Sequence, residues 1–535
     1  MGKGSRNRAV RITENQEEVA SATKLSKRQL IKLQEQKART KKYITTACVS
    51  VLTVALAVVI VVISLGRANP KLEGVISITS EKYELDNAVV AYLMYSNYNE
   101  FVANNSYMLS YYGLDTSKSL KTQYLYGSSS SQTWFSYFLS STLMQLKEFI
   151  AVASEAIDKN ITLDEEEIAD IDEYMNALKK QANSNGLDTK TWLSVNYVSG
   201  VTMTAVRTTL ELQQLAHKYY QQLMDSYTFT DEEMNKYVLD NPESFFMFDY
   251  ISYTFTAQYA TTATTDEKKA ALEEAKKKAE ELSDKATSAD ELRKLIVEML
   301  KEAEAEAAAT ATATTTTAAA SGTGTTEKTD EDYLKNYDKK EQAYVKDDKF
   351  TAWAYEEGRA VGDKTVITDD SKYTATLYLL TKTAYKDESV TKDVRHILFT
   401  ADKYGSTDAA KAKAEEILNQ FKAGEMTAEK FGELAKEYTE DSNGDKGGLH
   451  ENVQEGQMVT AFNDWIYDED RKVGDVDIVS SSYGYHVMWF EGDGEIVYKV
   501  NAEAGLKNEK YADYLKELQE KYPMEYDLDL IKNIP

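Results

Sequence analysis

The chain has 535 residues and a formal net charge of −26, although its first 42 residues hold twelve Lys or Arg against four Asp or Glu. The acidic body argues against a nucleic-acid partner, because binding a phosphate backbone requires a basic surface. The only cysteine is Cys48, which excludes an intrachain disulfide and a cysteine-based zinc site.

The N-terminal segments predict a membrane protein. Residues 1–42 are basic and are predicted to be a cytoplasmic tail. They precede Ile44 to Leu65, a run of 22 residues without a charge, which is long enough to cross a bilayer as a helix. A single transmembrane helix is therefore predicted over residues 43–66. Because Lys and Arg are concentrated before it, the N-terminus is expected in the cytoplasm and the bulk of the chain outside the cell membrane.

Residues 67–245 are predicted to form a mostly helical, chaperone-like domain. Two capping-box patterns, Thr162-Leu-Asp-Glu165 and Thr230-Asp-Glu-Glu233, indicate helix starts. Tyrosine is abundant here, and the simplest interpretation of each ring is amphipathic packing. A functional interpretation stays open, in which the rings form an adaptable apolar surface that holds unfolded chains, since aromatic side chains supply large contact areas.

Two later segments are predicted to be copies of one module. Residues 246–385 form the first copy and residues 386–495 the second. The segment 350–363 aligns without gaps to 462–475, and eight of the fourteen positions are identical.

The first copy lacks the histidines of the second. Ser252 stands where His396 stands, and Thr374 is aligned with His486. Whatever chemistry the histidine pair performs, the first copy is expected to lack it.

Two segments lie outside the repeat. Residues 302–328 are rich in Ala and Thr without a core-forming pattern, so they are predicted to be a disordered insertion in the first copy. Residues 496–535 contain a short amphipathic helix that is too short to be stable alone, so it is expected to dock on another domain.

The second copy holds most of the residues suited to chemistry. Three of the four histidines of the chain, His396, His450 and His486, lie in it. The strand-like runs at its two ends contain His396 and His486, and a hairpin-like end is expected to bring His486 beside the first strand. Imidazoles placed side by side suit proton transfer and hydrogen bonding near neutral pH.

Other interpretations of these histidines are weighed against this one. His396 taken alone could be a buried histidine that packs a sheet. Two histidines and one aspartate also suggest a metal site, but no metal is expected, because no third strong ligand is evident and apolar residues surround the pair. His450 is expected to face solvent from a loop.

The motifs of the second copy resemble the parvulin family of peptidyl-prolyl cis/trans isomerases over about a hundred residues. The motifs are Val394-Arg-His-Ile-Leu398, Tyr438-Thr-Glu-Asp441, Gly447-Gly448, Gly456-Gln-Met-Val459 and Tyr483-Gly-Tyr-His486. The resemblance implies catalytic roles for His396, Asp441 and His486. It implies a substrate-binding groove lined by Met458, Phe462, Ser481 and Tyr483, and it implies no cofactor.

The whole chain resembles the PrsA-type foldases of Gram-positive bacteria. The implied fold class is α+β, with a single N-terminal transmembrane helix, a mostly helical chaperone domain and two parvulin-like modules, of which only the second is intact. The implied function is that of a membrane-anchored extracytoplasmic isomerase and foldase. Its partners would be the membrane, through residues 43–66, and unfolded or partly folded secreted polypeptides with X–Pro bonds. A non-enzymatic holdase and an envelope scaffold protein are the alternatives, and a homodimer is left open.

Overall fold

The computed structural model describes residues 71–127, 131–314 and 328–535. The chain divides into two compact units. Of the described residues, the first comprises 71–127, 131–228, 456–459 and 505–535, and the second comprises 229–314, 328–455 and 460–504.

Helices predominate from Asn87 to Phe245, and helices and antiparallel strands are mixed from Met247 onward. The helices are α1 (Asn87–Asn104), α2 (Trp134–Asp158), α3 (Glu165–Ser184), α4 (Thr189–Asn196), α5 (Met203–Ser226), α6 (Asp231–Asp240), α7 (Pro242–Phe245), α8 (Thr265–Lys285), α9 (Ala289–Thr314), α10 (Asp330–Leu334), α11 (Lys349–Tyr355), α12 (Ala401–Tyr404), α13 (Thr407–Ala423), α14 (Ala428–Tyr438), α15 (Thr460–Ile466), α16 (Val497–Lys521) and α17 (Leu528–Ile531). The strands are β1 (Ile76–Thr79), β2 (Glu84–Asp86), β3 (Met247–Thr256), β4 (Asp338–Ala343), β5 (Lys364–Asp369), β6 (Thr374–Tyr385), β7 (Val390–Phe399), β8 (Leu449–Val453), β9 (Val476–Ser481), β10 (Gly484–Ile496) and β11 (Glu525–Tyr526).

The first unit is a helical core closed by residues from the C-terminal end of the chain. Helices α1 to α5 surround a common apolar core that includes Tyr522 and Ile531. Strand β11 pairs with β1 in a small sheet of order β11–β1–β2. The side chain of Asn87 donates a hydrogen bond to the carbonyl of Leu530 at 2.8 Å. Residues 505–535 are therefore part of this core.

One of the two predicted capping boxes is present, and the other forms with a different cap residue. Thr230 and Glu233 form the predicted capping box at the start of α6. Helix α3, by contrast, begins at Glu165, and its capping box joins Asp164 to Glu167. The carboxylate of Asp164 accepts from two free amides of the first turn, so it serves as the cap in place of Thr162.

The second unit contains two sheets with the same strand order. One has the order β4–β3–β6–β5 and the other β8–β7–β10–β9. The repeated Trp-to-Arg motif also adopts one geometry in both copies. The Nε of Arg359 donates to the carbonyl of Trp353 at 2.9 Å, and the Nε of Arg471 donates to that of Trp465 at the same distance. The two modules are therefore two copies of one fold.

The register of the sheets corrects one aligned pair. Strand pairing sets Ser252 opposite Tyr378 and His396 opposite Met488, so Thr376, two residues before Tyr378, corresponds to His486. The predicted counterpart, Thr374, was wrong. The closing pair Asp369–Thr374 of the first hairpin encloses four residues, whereas the closing pair of the second hairpin encloses two.

The predicted fold class is corrected in its membrane part. Among residues 71–127, 131–314 and 328–535, no helix is long and apolar enough to cross a bilayer. The long helices there are amphipathic; α2, for example, carries Lys147, Glu148, Glu155 and Asp158. The predicted transmembrane segment, residues 43–66, lies outside the described residues. The fold is mixed helix and sheet with two parvulin-like modules.

The predicted insertion is described only in part. Residues 302–314 continue helix α9, which begins at Ala289. The predicted disorder is therefore wrong for residues 302–314. Residues 315–327 lie outside the described residues.

Candidate functional site

The sheet of the second module has a helix-covered face and a histidine-bearing face. Alternate residues of a strand point to opposite faces. Ile397 and Val487 pack in the core with helices α13 and α14. His396 and His486, each one residue away, therefore lie on the other face. This alternation follows directly from the sequence of β7 and β10.

The two predicted histidines are in direct contact. His486 is paired with Leu398, and His396 is paired with Met488, which makes the two histidines diagonal neighbours across β7 and β10. Their Nδ1 atoms lie 3.1 Å apart. Both residues are buried, with 2% of His396 and 4% of His486 exposed.

Asp441 reaches this pair because the chain leaving α14 runs along β7. The amide of Leu398 donates to the Thr439 hydroxyl at 3.0 Å, and the amide of Glu440 donates to the carbonyl of Leu398 at 3.1 Å. These bonds place the Oδ2 of Asp441 3.0 Å from the Nε2 of His396. The Oδ1 of Asp441 accepts from the amide of Ser442 at 2.6 Å. One carboxylate oxygen is thus held by backbone and the other faces the imidazole.

His450 joins the cluster, contrary to the sequence-based expectation that it faces solvent. It lies on β8, paired with Val394, and it is half-buried. Its Nε2 lies 2.9 Å from the Nε2 of His396. The sequence signal that could have found it is the Gly447-Gly448 turn, which returns the chain antiparallel to β7. Pairing between strands more than fifty residues apart is not visible in a periodicity pattern.

The four predicted groove residues have different positions. Phe462 is buried and stands perpendicular to both imidazoles, with ring centroids 5.3 Å from His396 and 5.7 Å from His486. The Ser481 hydroxyl lies 2.7 Å from the Nε2 of His486. Tyr483 occupies the hairpin turn with 40% of its surface exposed, and its amide donates to the Ser481 hydroxyl at 3.1 Å. Met458 is half-buried in the segment 456–459, which belongs to the first unit, so its role in the groove stays a prediction.

One set of tautomers satisfies the contacts from Ser481 to Asp441 with neutral histidines. The Ser481 hydroxyl donates to the Nε2 of His486, whose Nδ1–H donates to the Nδ1 of His396. The Nε2–H of His396 then faces the carboxylate of Asp441. A neutral imidazole has one donor and one acceptor nitrogen, so the direction of every bond is fixed once Asp441 is ionised. Chains of this kind polarise each member toward the charge at their end.

The titration of the side chains around His396 favours that assignment. Burial lowers the pKa of His486 to about 3 and the pKa of His450 to about 4. Burial by itself would raise the pKa of Asp441, but its hydrogen bond to His396 holds that pKa below the ordinary value. Near neutral pH the cluster thus contains neutral His450, neutral His486 and an ionised Asp441.

The first module has replaced this cluster. The strand registers match His396, His450 and His486 with Ser252, Lys339 and Thr376. Phe350, the counterpart of Phe462, stacks on Tyr378 with ring centroids 4.1 Å apart and contacts Tyr250 at 4.4 Å. Tyrosines therefore pack against Phe350, whereas imidazoles pack against Phe462 in the second module.

Comparisons with known proteins agree with the location of this cluster. Residues 377–491 match the family model described as the PPIC-type PPIASE domain. The chain is 39% identical over 113 residues to the "Foldase protein PrsA" of Bacillus subtilis (strain 168), and 36% identical over 108 residues to the "Foldase protein PrsA 1" of Listeria monocytogenes serotype 4b (strain F2365). These matches cover 21% and 20% of this chain, and 32% of each relative. The chain thus matches about a third of the length of these curated relatives.

Among solved structures, the crystal structure of PrsA from Bacillus subtilis is 27% identical, and the match covers 27% of this chain and 50% of that one. Its TM-score of 0.18 is too low to compare the two folds as wholes. The family match, by contrast, coincides with the histidine-bearing module, and it confirms the predicted resemblance to parvulin-type isomerases and PrsA foldases.

Proposed function

We propose that this chain, whose residues 377–491 form a parvulin-type isomerase domain, is a foldase that isomerises X–Pro bonds in unfolded or partly folded polypeptides. The observation that supports the proposal most is the connected array of Ser481, His486, His396 and Asp441 beside the ring of Phe462. The first module keeps the same strands but has lost the array, so a shared fold does not account for these side chains.

The reaction is a rotation about a partial double bond. The barrier for an X–Pro amide is about 20 kcal/mol, and uncatalysed isomerisation takes tens of seconds. No covalent intermediate is required, since a site lowers the barrier by binding the twisted amide more tightly than either planar form. Fixed hydrogen-bond donors and acceptors can do this, because they are oriented before the substrate arrives.

The residues of the array suit this task. Phe462 offers an apolar surface for a proline ring. The Ser481 hydroxyl and the two imidazoles form a polar wall whose bond directions end on Asp441. The groove side chain Tyr483 is exposed enough to contact a polypeptide. His396 and His486 are proposed to be catalytic together with Asp441.

The experiment is an isomerisation assay on the full chain with a proline-containing peptide. His396→Gln should reduce kcat/KM by about tenfold or more, since it breaks a chain that includes a charge-assisted hydrogen bond. Ser252→Ala, at the matched position of the first module, should leave the rate unchanged. Equal rates for wild type and His396→Gln would reject an isomerase that uses this site.

A second candidate function is the holding of unfolded chains by the first unit. Tyr107 and Tyr111 of that unit are 83% and 70% exposed. The ring of Tyr111 contacts Tyr112, which in turn contacts Phe101 and Tyr126 in one connected aromatic cluster. Exposed rings that are anchored in a core are suited to binding apolar segments of many sequences.

Extracytoplasmic action is also proposed. It is supported by the resemblance of the chain to the PrsA-type foldases of Gram-positive bacteria. Protease added to intact cells that express the chain should digest it, and full protection of the chain would contradict this location.

A further inference from the structure

Three metal-ligand atoms converge at the edge of the histidine cluster. The Nε2 of His396 lies 2.9 Å from the Nε2 of His450 and 3.0 Å from the Oδ2 of Asp441. All three atoms lie within 4.8 Å of one another. In the sequence, the apparent lack of a third strong ligand argued against a metal site. His450 is that third ligand.

With the proton of His450 on its Nδ1, these three atoms share a single hydrogen-bond donor. In the direction of hydrogen bonds that ends on Asp441, that donor is the Nε2–H of His396. It must serve both the carboxylate and the Nε2 lone pair of His450, and a shared donor gives two weakened bonds. A cation in the place of that proton would be bound by three lone pairs at once.

We propose that His396, His450 and Asp441 bind a divalent transition cation of the zinc class. Imidazole nitrogen and carboxylate oxygen are ligands that Zn²⁺ takes at about 2.0–2.2 Å, and three protein ligands leave a fourth position open. Tetrahedral bonds of about 2.05 Å put ligand atoms about 3.3 Å apart. The His396–Asp441 and His396–His450 contacts would each lengthen by a few tenths of an ångström. The loop residue Asp441 can take up the first change, and a small rotation of the imidazoles the second.

The surroundings provide the second set of contacts that such a site needs. The Oδ1 of Asp441 is held by the amide of Ser442, which leaves Oδ2 directed at the cluster. The ring nitrogen of a ligating histidine that does not bind the metal normally donates to a neighbour. With the ion on Nε2, the proton of His396 moves to Nδ1 and is donated to His486, whose own proton moves to Nε2 and faces Ser481. The chain reverses its direction, and no proton is gained or lost by the two histidines.

Access to the site is from the side of Asp441, whose side chain is 30% exposed. His396 itself is buried, so the ion would enter past the carboxylate and the half-buried His450. The occupied state would hold His396 as a metal ligand with its donor turned away from Asp441. We therefore expect the ion to inhibit isomerisation, an expectation that rests on the proposed function.

The test measures binding of Zn²⁺ to the chelator-treated full chain by calorimetry, with Co²⁺ absorption as a spectroscopic probe. One tight ion per chain is expected, and His450→Gln and Asp441→Asn should each weaken it by about tenfold or more. His217→Gln, which removes the histidine outside the second module, is the matched control and should bind as the wild type does. Unchanged affinity in both ligand variants would overturn the site.

A measurement on the wild type keeps the proposal falsifiable if a variant fails to fold. X-ray absorption at the zinc edge should show two imidazoles and one oxygen donor from the protein. A first shell without imidazole would overturn the proposal, since it would assign the ion to acidic residues elsewhere.

Added Zn²⁺ should reduce isomerase activity with the same midpoint as binding, and a chelator should restore it. Binding without inhibition would reject only the inhibitory role, and a chain inactive under all conditions would leave the calorimetric result intact.

Discussion

At the scale of single residues, His396 has the largest influence on the site because it contacts every other member of the cluster. Its two ring nitrogens face His486 on one side and Asp441 with His450 on the other, and its ring packs against Phe462. Histidine is suited to this position because it presents two hydrogen-bonding nitrogens on opposite sides of one flat ring. A different side chain of similar volume would keep at most one of these contacts.

Asp441 sets the direction of the hydrogen bonds, which makes Asp441→Asn a sharper test than removal of the side chain. An amide is neutral and can present either its oxygen or its NH₂ to the Nε2 of His396, so the fixed donor direction is lost. We expect kcat/KM for the proline peptide to fall by about tenfold or more.

The control is Asp445→Asn, which changes an exposed carboxylate four residues away. Its kcat/KM should equal that of the wild type. If Asp441→Asn and Asp445→Asn were equally active, Asp441 would have no role beyond packing, and the assigned direction of the chain would be wrong.

The structure brings predicted site residues together where a motif carries the geometry, and their roles stay predictions. His396, His486 and Phe462 stand in short motifs on two adjacent strands and one helix, and the structure brings all three together. His450 was misplaced because its proximity depends on β8 pairing with β7, a contact over 54 residues of chain. Thr162 was assigned as a cap for a different, local reason: two residues at this helix start can serve as the cap, and the carboxylate of Asp164 is the one used.

At the scale of elements, the turn before β8 determines whether His450 and β7 can meet. Gly448 has a positive φ of +70°, and a Cβ there would lie 2.3 Å from the carbonyl oxygen of His396. The amide of His396 also donates to the Gly448 carbonyl at 2.9 Å. This close approach of two backbones is compatible only with glycine.

Gly448→Ala is therefore expected to destabilise the second module by several kcal/mol, with the clash added to about 1 kcal/mol of backbone strain. The comparison is Gly405→Ala, which has a positive φ of +81° but no atom within 4 Å of its added Cβ. Chemical denaturation of each full chain measures the difference. Equal losses in the two variants would show that the turn can move away from β7 at little cost.

Element order was easier to derive from the sequence than register. The identities between residues 350–363 and 462–475 locate equivalent helices and strand starts in both modules. The hairpin at the end of the first module is two residues longer, and a gapless comparison cannot detect where such an insertion falls. Only the hydrogen-bonded pairs assign Thr376, and not Thr374, to the position of His486.

At the scale of the whole molecule, the C-terminal end of the chain is joined to helix α2 within the first unit. Glu155 of α2 is buried, and it accepts from Lys521 at 2.7 Å and from the Tyr522 hydroxyl at 2.8 Å. Sequence analysis predicts that the C-terminal helix docks on another domain, but its partner cannot be read from local patterns. The partner is set by long-range packing of residues more than 360 positions apart.

This contact predicts how the stability of the first unit depends on pH. Burial alone would raise the pKa of Glu155, but its hydrogen bonds with Lys521, Tyr522 and Lys159 hold the pKa below the ordinary value. A carboxyl with a pKa lowered by folding stabilises the folded state above its unfolded pKa of about 4.3, and that stabilisation disappears as the pH falls through the folded value. Between about pH 6 and about pH 3, the wild type should therefore lose more free energy of unfolding than Glu155→Gln does.

Denaturation curves collected at several pH values, with the tryptophans of the first unit as the probe, measure this difference. Glu165→Gln, at an exposed position of α3, should follow the wild-type curve. Parallel curves for the wild type and Glu155→Gln would mean that the ion pair with Lys521 contributes no pH-dependent stability.

The separation of the chain into two units predicts that holding a polypeptide and isomerising it are separable. The exposed rings of Tyr107 and Tyr111 lie in the first unit, whereas the histidine cluster lies in the second. The double variant Tyr107→Ser with Tyr111→Ser removes apolar surface without touching a buried side chain. It should suppress the aggregation of an unfolded model protein several-fold less well than the wild type, while isomerisation of a short proline peptide is unchanged. His396→Gln should show the opposite pattern.

The control is Leu239→Ser with Val361→Ser, which removes two exposed apolar side chains of the second unit and should leave both activities unchanged. If the tyrosine variant and this control suppressed aggregation equally well, the exposed rings would be ordinary surface residues and the first unit would hold chains in another way.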